Sequence, residues 1–146
     1  MKTRKRSISM GLSLLIIIFH AYTLVAQQNE MIDDKDINVT SFAEMRYPQL
    51  ARQARIQGIV VVRVKLDNVG SVISTAAISG SRLLVSDTLS NAKKWEFRPN
   101  SSKAAVIIYE FRLADGTCKS SEQNHISTFR EPNILSVIGC EAMWQP

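Results

Sequence analysis

The sequence predicts an α+β domain. Three observations carry this reading. Ile59–Asp67 alternates strictly between apolar and polar residues, Ala104–Leu113 forms a second strand-like run, and Pro48–Ile56 and Leu84–Lys94 space their apolar residues at helical intervals. In chain order the elements run helix, strand, strand, helix, strand. That order predicts a small antiparallel three-stranded sheet packed with two helices.

Ser41-Phe42-Ala43-Glu44 has capping-box spacing and predicts a helical turn. Pro48 then sits where a helix begins, Leu50, Ala51 and Ala54 share a face, and Gly58 stands as the terminating glycine. In Ile59–Asp67, Val62, Val64 and Leu66 mark the buried face and Arg63, Lys65 and Asp67 the wet one. Asn68-Val69-Gly70-Ser71 is a turn, so Val72–Ser79 returns as the second arm of a hairpin. In the second helix, Leu84 or Val85, Thr88 or Leu89, Ala92 and Trp95 line one side. Ser86 or Asp87 supplies polar groups to the first turn, Lys93 and Lys94 suit the negative end, and Pro99 stops continuation. Trp95 and Phe97 read as core anchors.

On the third strand, Ile107, Tyr109, Phe111 and Leu113 share the buried face, and Val106, Ile108, Glu110 and Arg112 lie opposite. Val106 and Ile108 are apolar where a solvated strand is usually polar, so something is expected to cover them. Beyond the Asp115-Gly116 turn, Ile126–Phe129 and Ile134–Ile138 read as two short strands around Glu131-Pro132-Asn133.

The N-terminus is a targeting segment. Lys2, Arg4, Lys5 and Arg6 precede an apolar stretch from Ile8 to Ala26, the pattern of a signal peptide cut after Ala26. An uncleaved anchor is the alternative, since 19 residues fall within the ~17–25 that span a bilayer. The expected organisation is a leader over 1–26, a polar tether over 27–40, the domain over 41–114 and a Cys-bearing extension over 115–146. Location is then periplasmic or secreted, or, with 8–26 retained, inner-membrane anchored and facing the periplasm.

The charge follows the same division. The net charge of +5 includes four leader cations, which leaves 14 Lys and Arg against 13 Asp and Glu. No cationic stripe remains for nucleic acid. With 45% apolar residues, 6 Gly and 4 Pro, the chain is neither disordered nor collagenous.

Cys118 and Cys140, an even pair in an exported chain, are expected to form a disulfide that staples the extension; two buried thiols are the alternative. Two sulfurs without neighbouring His cannot complete a zinc shell, so neither metal nor cofactor is expected. His125 is the exported part's one histidine, and no phosphate loop, HExxH motif or paired acids accompany it. The expected chemistry is binding, not catalysis.

Tyr47-Pro48, Ala51, Ala54, Gly58 through Val64, Asp67, Gly70, Val72, the Ser79–Leu84 break and Trp95-Glu96-Phe97-Arg98-Pro99 stand in one series. This series, over about residues 41–113, resembles the C-terminal domain of the TonB family of energy transducers. The resemblance implies that strand Ala104–Leu113 is a free sheet edge that accepts an extended N-terminal peptide of an outer-membrane transporter. Ala104, Val106, Ile108, Glu110 and Arg112 are then its partner-binding residues. A second copy on the same edge would give a homodimer.

The chain departs from the family in its tether, leader and second helix. Only 14 residues, without Pro, separate Ala26 from Ser41, reaching at most ~50 Å. Family anchors pair a Ser with a His four residues on, whereas His20 here follows Ile16. Asp87, Thr88 and Asn91 stand where the family uses Ala, and read as surface positions or as weak points of the second helix. Two function classes therefore remain: participation in energy transduction, or an interaction module unconnected to the proton-motive force.

Overall fold

The computed structural model describes residues 37–114 and 125–140. The leader, most of the 27–40 segment and Cys118 lie outside them. The elements are β1 (Val39–Ser41), α1 (Gln49–Gln53), β2 (Gly58–Leu66), β3 (Val72–Ser79), α2 (Arg82–Ala92), β4 (Glu96–Phe97), β5 (Ala104–Ala114), β6 (His125–Arg130) and β7 (Ile134–Cys140).

The α+β class holds, but the sheet is larger than expected. Among the described residues β3, β2, β5, β7 and β6 form one five-stranded sheet in that order, and β1 pairs with β4. The three-stranded expectation is corrected by the tail, whose two strands join the sheet itself. β7 runs parallel to β5 from Ile108↔Ile134 to Ala114↔Cys140, and β6 closes antiparallel on β7. Strand β5 therefore lies inside the sheet, between β2 and β7. Alternation reports which face of a strand is buried; it carries no information about which strand lies beside it.

One face of the sheet carries the core. Val60, Val62, Val64 and Leu66 of β2, Ala105, Ile107, Tyr109 and Phe111 of β5, and Leu135 and Val137 of β7 are all buried there. Trp95 and Phe97 are buried among them, as expected, and the Trp95 ring lies 5.9 Å from that of Tyr109. The sheet closes on Tyr47, whose hydroxyl donates to the Ile56 carbonyl at 2.6 Å and whose ring meets Phe111 edge-on at 5.4 Å. Gly139 lies against that ring: a Cβ there would stand 2.6 Å from Tyr47 Cδ2.

Local signals were partly misassigned. The Ser41–Glu44 capping box opens no helix; Ser41 ends β1, and no regular structure follows until Gln49. Helix α1 is one short segment, ended by Arg55 in the left-handed region at φ 54°. Ile56 N donates to Ala51 O at 2.8 Å and Arg55 N to Arg52 O at 3.1 Å, the two bonds of a Schellman stop. Gly58 instead opens β2. Ile37 is buried and Val39 pairs with Phe97, inside the stretch read as tether.

The polar residues of α2 divide. Asp87 is exposed, while Thr88 and Asn91 are buried. Thr88 Oγ1 donates to the Leu84 carbonyl at 2.6 Å. Asn91 Nδ2 donates to the carbonyls of Ala43 and Glu44 at 3.2 and 3.0 Å, and its Oδ1 accepts from Trp95 Nε1 at 3.0 Å. Neither residue is a surface position, and Asn91 fastens the irregular segment before α1 to α2.

Candidate functional site

Ala104, Val106, Ile108, Glu110 and Arg112 alternate with the buried residues of β5, so all five share the sheet face opposite the core. The strand pairings place their neighbours. Arg63 lies opposite Val106 and Lys65 opposite Ala104, both on β2. Val61, Ile108, Ile134 and Arg130 form one row across four strands. Ile59, Glu110, Ser136 and Thr128 form the next, and Arg112, Ile138 and Ile126 a third.

Val61, Val106, Ile108, Ile134 and Ile138 are each half-buried. In the plane of the sheet β7 flanks Ile108 and Asn133 flanks Val106, while no described element lies over either side chain. Two acids lie on this side among the described residues, and both are engaged: Asp67, just past β2, accepts from Val69 N and Ser71 N through Oδ1, while Arg130 pairs with Glu110 Oε2 and Ser136 Oγ donates to the same oxygen at 3.0 Å. Arg63, Lys65 and Arg112 are exposed and make no ion pair among the described residues. A shallow depression of about 350 Å³ opens here, lined by Gln57, Gly58, Ile59, Glu110, Phe111 and Arg112.

The implied edge at β5 is not free. Ile108, Glu110 and Arg112 pair with Ile134, Ser136 and Ile138 of β7. Ahead of that pairing, two asparagines occupy the strand's polar groups. Ala104 N donates to Asn100 Oδ1 at 3.2 Å, and Asn100 Nδ2 to Ala104 O at 2.8 Å. Asn133 Nδ2 donates to Val106 O at 2.8 Å, and Ile108 N to Asn133 O at 2.9 Å. Sequence reading assigned Asn133 only to a turn; its capping role depends on a partner 27 residues away.

The sheet ends instead at β3 and β6. The two edges differ. On β3 the register against β2 slips twice: Leu66↔Val72 follows Lys65↔Ser74, and Val61↔Ser79 follows Val62↔Ala77. The extra residues are Ile73 and Ile78, which stand 64% and 54% exposed. Such bulges bend a strand and blunt its edge. β6 pairs with β7 in unbroken register from His125 to Arg130, and its other side has no strand neighbour among the described residues. On the core side Phe129 stacks on Phe42 at 5.0 Å, and Ser127 Oγ accepts from Met45 N at 3.4 Å, which steadies the strand.

Among the described residues no His, Cys, Asp and Glu gather in threes as metal ligands, and no helix is long and apolar enough to cross a membrane. Cys140 is buried at the end of β7, and its expected bridge to Cys118 involves a residue outside the described set.

Residues 43–113 match the family described as Gram-negative bacterial TonB protein C-terminal. Protein TonB of Vibrio cholerae is 33% identical over 82 residues, covering 55% of this chain and 34% of that relative. The chain thus spans about one third of the length of the curated relative it matches.

Proposed function

We propose that this protein, whose residues 43–113 match the Gram-negative bacterial TonB protein C-terminal family, is a non-catalytic binding domain of the cell envelope. It recognises an extended segment of an envelope partner by strand addition, with the periplasm-facing peptide of an outer-membrane transporter as the partner class. The observation that supports this most directly is the edge of β6. A regular strand with open backbone donors and acceptors on one side satisfies them by pairing with another chain. β7 occupies the slot beside β5, and the bulges of β3 disfavour pairing there, so β6 is the acceptor.

Amide hydrogen exchange tests this. Adding a transporter's N-terminal peptide is expected to slow exchange along His125–Arg130 while leaving Val72–Ser79 unchanged. Protection confined to Val72–Ser79, or none on either edge, refutes the assignment.

A second reading, an interaction module without coupling to the proton-motive force, is favoured by the 14-residue span between Ala26 and Ser41, which holds no Pro to stiffen it. Mass spectrometry of the exported protein separates the two. A start at Gln27 supports the module, and an intact Met1 in the membrane fraction supports energy coupling.

A further inference from the structure

We infer that the sheet face opposite the core docks an amphipathic helix of a protein partner, apolar along one stripe and acidic at both ends. This surface is separate from the β6 edge, and the inference does not depend on strand addition.

Among the described residues the face has no second layer. Buried Ala51 of α1 and Leu84, Thr88 and Ala92 of α2 belong to the core side, and no described element packs on the other. A sheet face left to water normally reads polar. Here the central row is Val61, Ile108 and Ile134, with Val106 and Ile138 beside it. Helix on sheet is the usual way such a face is covered.

Charge identifies the occupant. Along the strand direction Arg63 and Lys65 flank the apolar row on one side, and Arg112 lies on the other, beyond Glu110. Neither acid of this side pairs with them: Arg130 and Ser136 hold the Glu110 carboxylate, and the backbone N–H groups of Val69 and Ser71 hold Asp67 Oδ1. From Val106 to Arg112 is six residues along β5, about 20 Å of strand. About 13 helical residues span that distance, so acids in the first and last turns of such a helix fall beside the two cationic ends. A second copy offers the same cations and meets repulsion. Ile59 and Ile126 also project from this face, but a bilayer would have to take up the Glu110–Arg130 pair between them, which hydrocarbon opposes.

The probe is a synthetic 14-residue helical peptide with a Leu stripe and Glu in its terminal turns, compared with a twin carrying Lys for Glu. Calorimetry on the full exported chain is expected to show the Glu peptide binding at least about tenfold tighter than its twin, weakening as salt is added. Arg63→Glu with Arg112→Glu is expected to reverse the preference, and Ile108→Ser to weaken both peptides, with circular dichroism confirming an unchanged fold. Equal binding of the two peptides, binding of neither, or indifference to charge reversal overturns the inference. Attachment to phosphatidylglycerol vesicles that the charge reversal abolishes would reassign the face to lipid. A dimer in sedimentation that Ile108→Ser dissolves would reassign it to a second copy.

Discussion

The Tyr109 hydroxyl donates to Asn91 Oδ1 at 3.0 Å in the middle of the core. The same oxygen accepts from Trp95 Nε1, and the amide nitrogen reaches back to the carbonyls of Ala43 and Glu44. One asparagine thereby satisfies two buried aromatic donors and ties α2, β5 and the segment before α1 into a single network. Asn91→Ala leaves both donors without this partner. The expected loss is about 2–4 kcal/mol in urea unfolding, because an unsatisfied buried polar group costs ~1–3 kcal/mol. A loss within the range of a surface substitution would mean that the network carries no stability.

Alkaline pH tests the same contact. Burial pushes the Tyr109 phenol above its ordinary value of 10.0. The unfolded chain releases that proton near pH 10 while the native state keeps it, so the contribution is fully present below pH 10 and declines as pH rises beyond it. Tyr109→Phe is expected to cost about 1 kcal/mol at neutral pH through the lost hydrogen bond. It also removes one group's share, about 1.4 kcal/mol per pH unit, from the decline above pH 10. Parallel stability curves for the two proteins between pH 9 and 11 would contradict this.

Gly139 is required by close approach, since a side chain there meets the Tyr47 ring. Gly139→Ala is expected to lower stability by about 1–3 kcal/mol, the usual cost of overpacking. Amide exchange should rise first in β7 and β6, not in the β2–β3 hairpin. Uniform acceleration across the sheet would show that β7 is not a separable unit.

The cysteine pair makes the tail's attachment testable. Non-reducing peptide mapping is expected to recover Cys118 linked to Cys140. Cys118→Ser should then cost ~3 kcal/mol in the chain-entropy model, concentrated in β6 and β7. Rapid alkylation of both thiols in the native protein would refute the bridge.

Residues whose partners are close in sequence were legible. The β2–β3 hairpin and the β5 alternation follow from period and turn chemistry, and Trp95 and Phe97 are core residues as read. Both tail strands were also visible as strands. Their position was not, because Leu135 and Val137 carry the same alternation whether β7 lies beside β5 or apart from it. Asn91 read as a surface or weak position because polarity in a helix usually marks the wet side. Its burial depends on Ala43, Glu44 and Tyr109, all distant in the chain. The five β5 residues expected to bind a partner were legible as one face, and their backbone was misread as a free edge for the same reason that β7 was misplaced.

Because β7 is inserted between β5 and β6, the sheet is completed out of order. A polypeptide is synthesised from its N-terminus, so β6 emerges while its strand neighbour has not yet been made. Until β7 arrives, both β5 and β6 present unpaired backbone groups, a condition that favours association with other nascent chains. A translational stop within Ile134–Cys140 would therefore do more than shorten the sheet at its rim. It would open a gap in its interior, making premature termination there as damaging as the loss of a central strand.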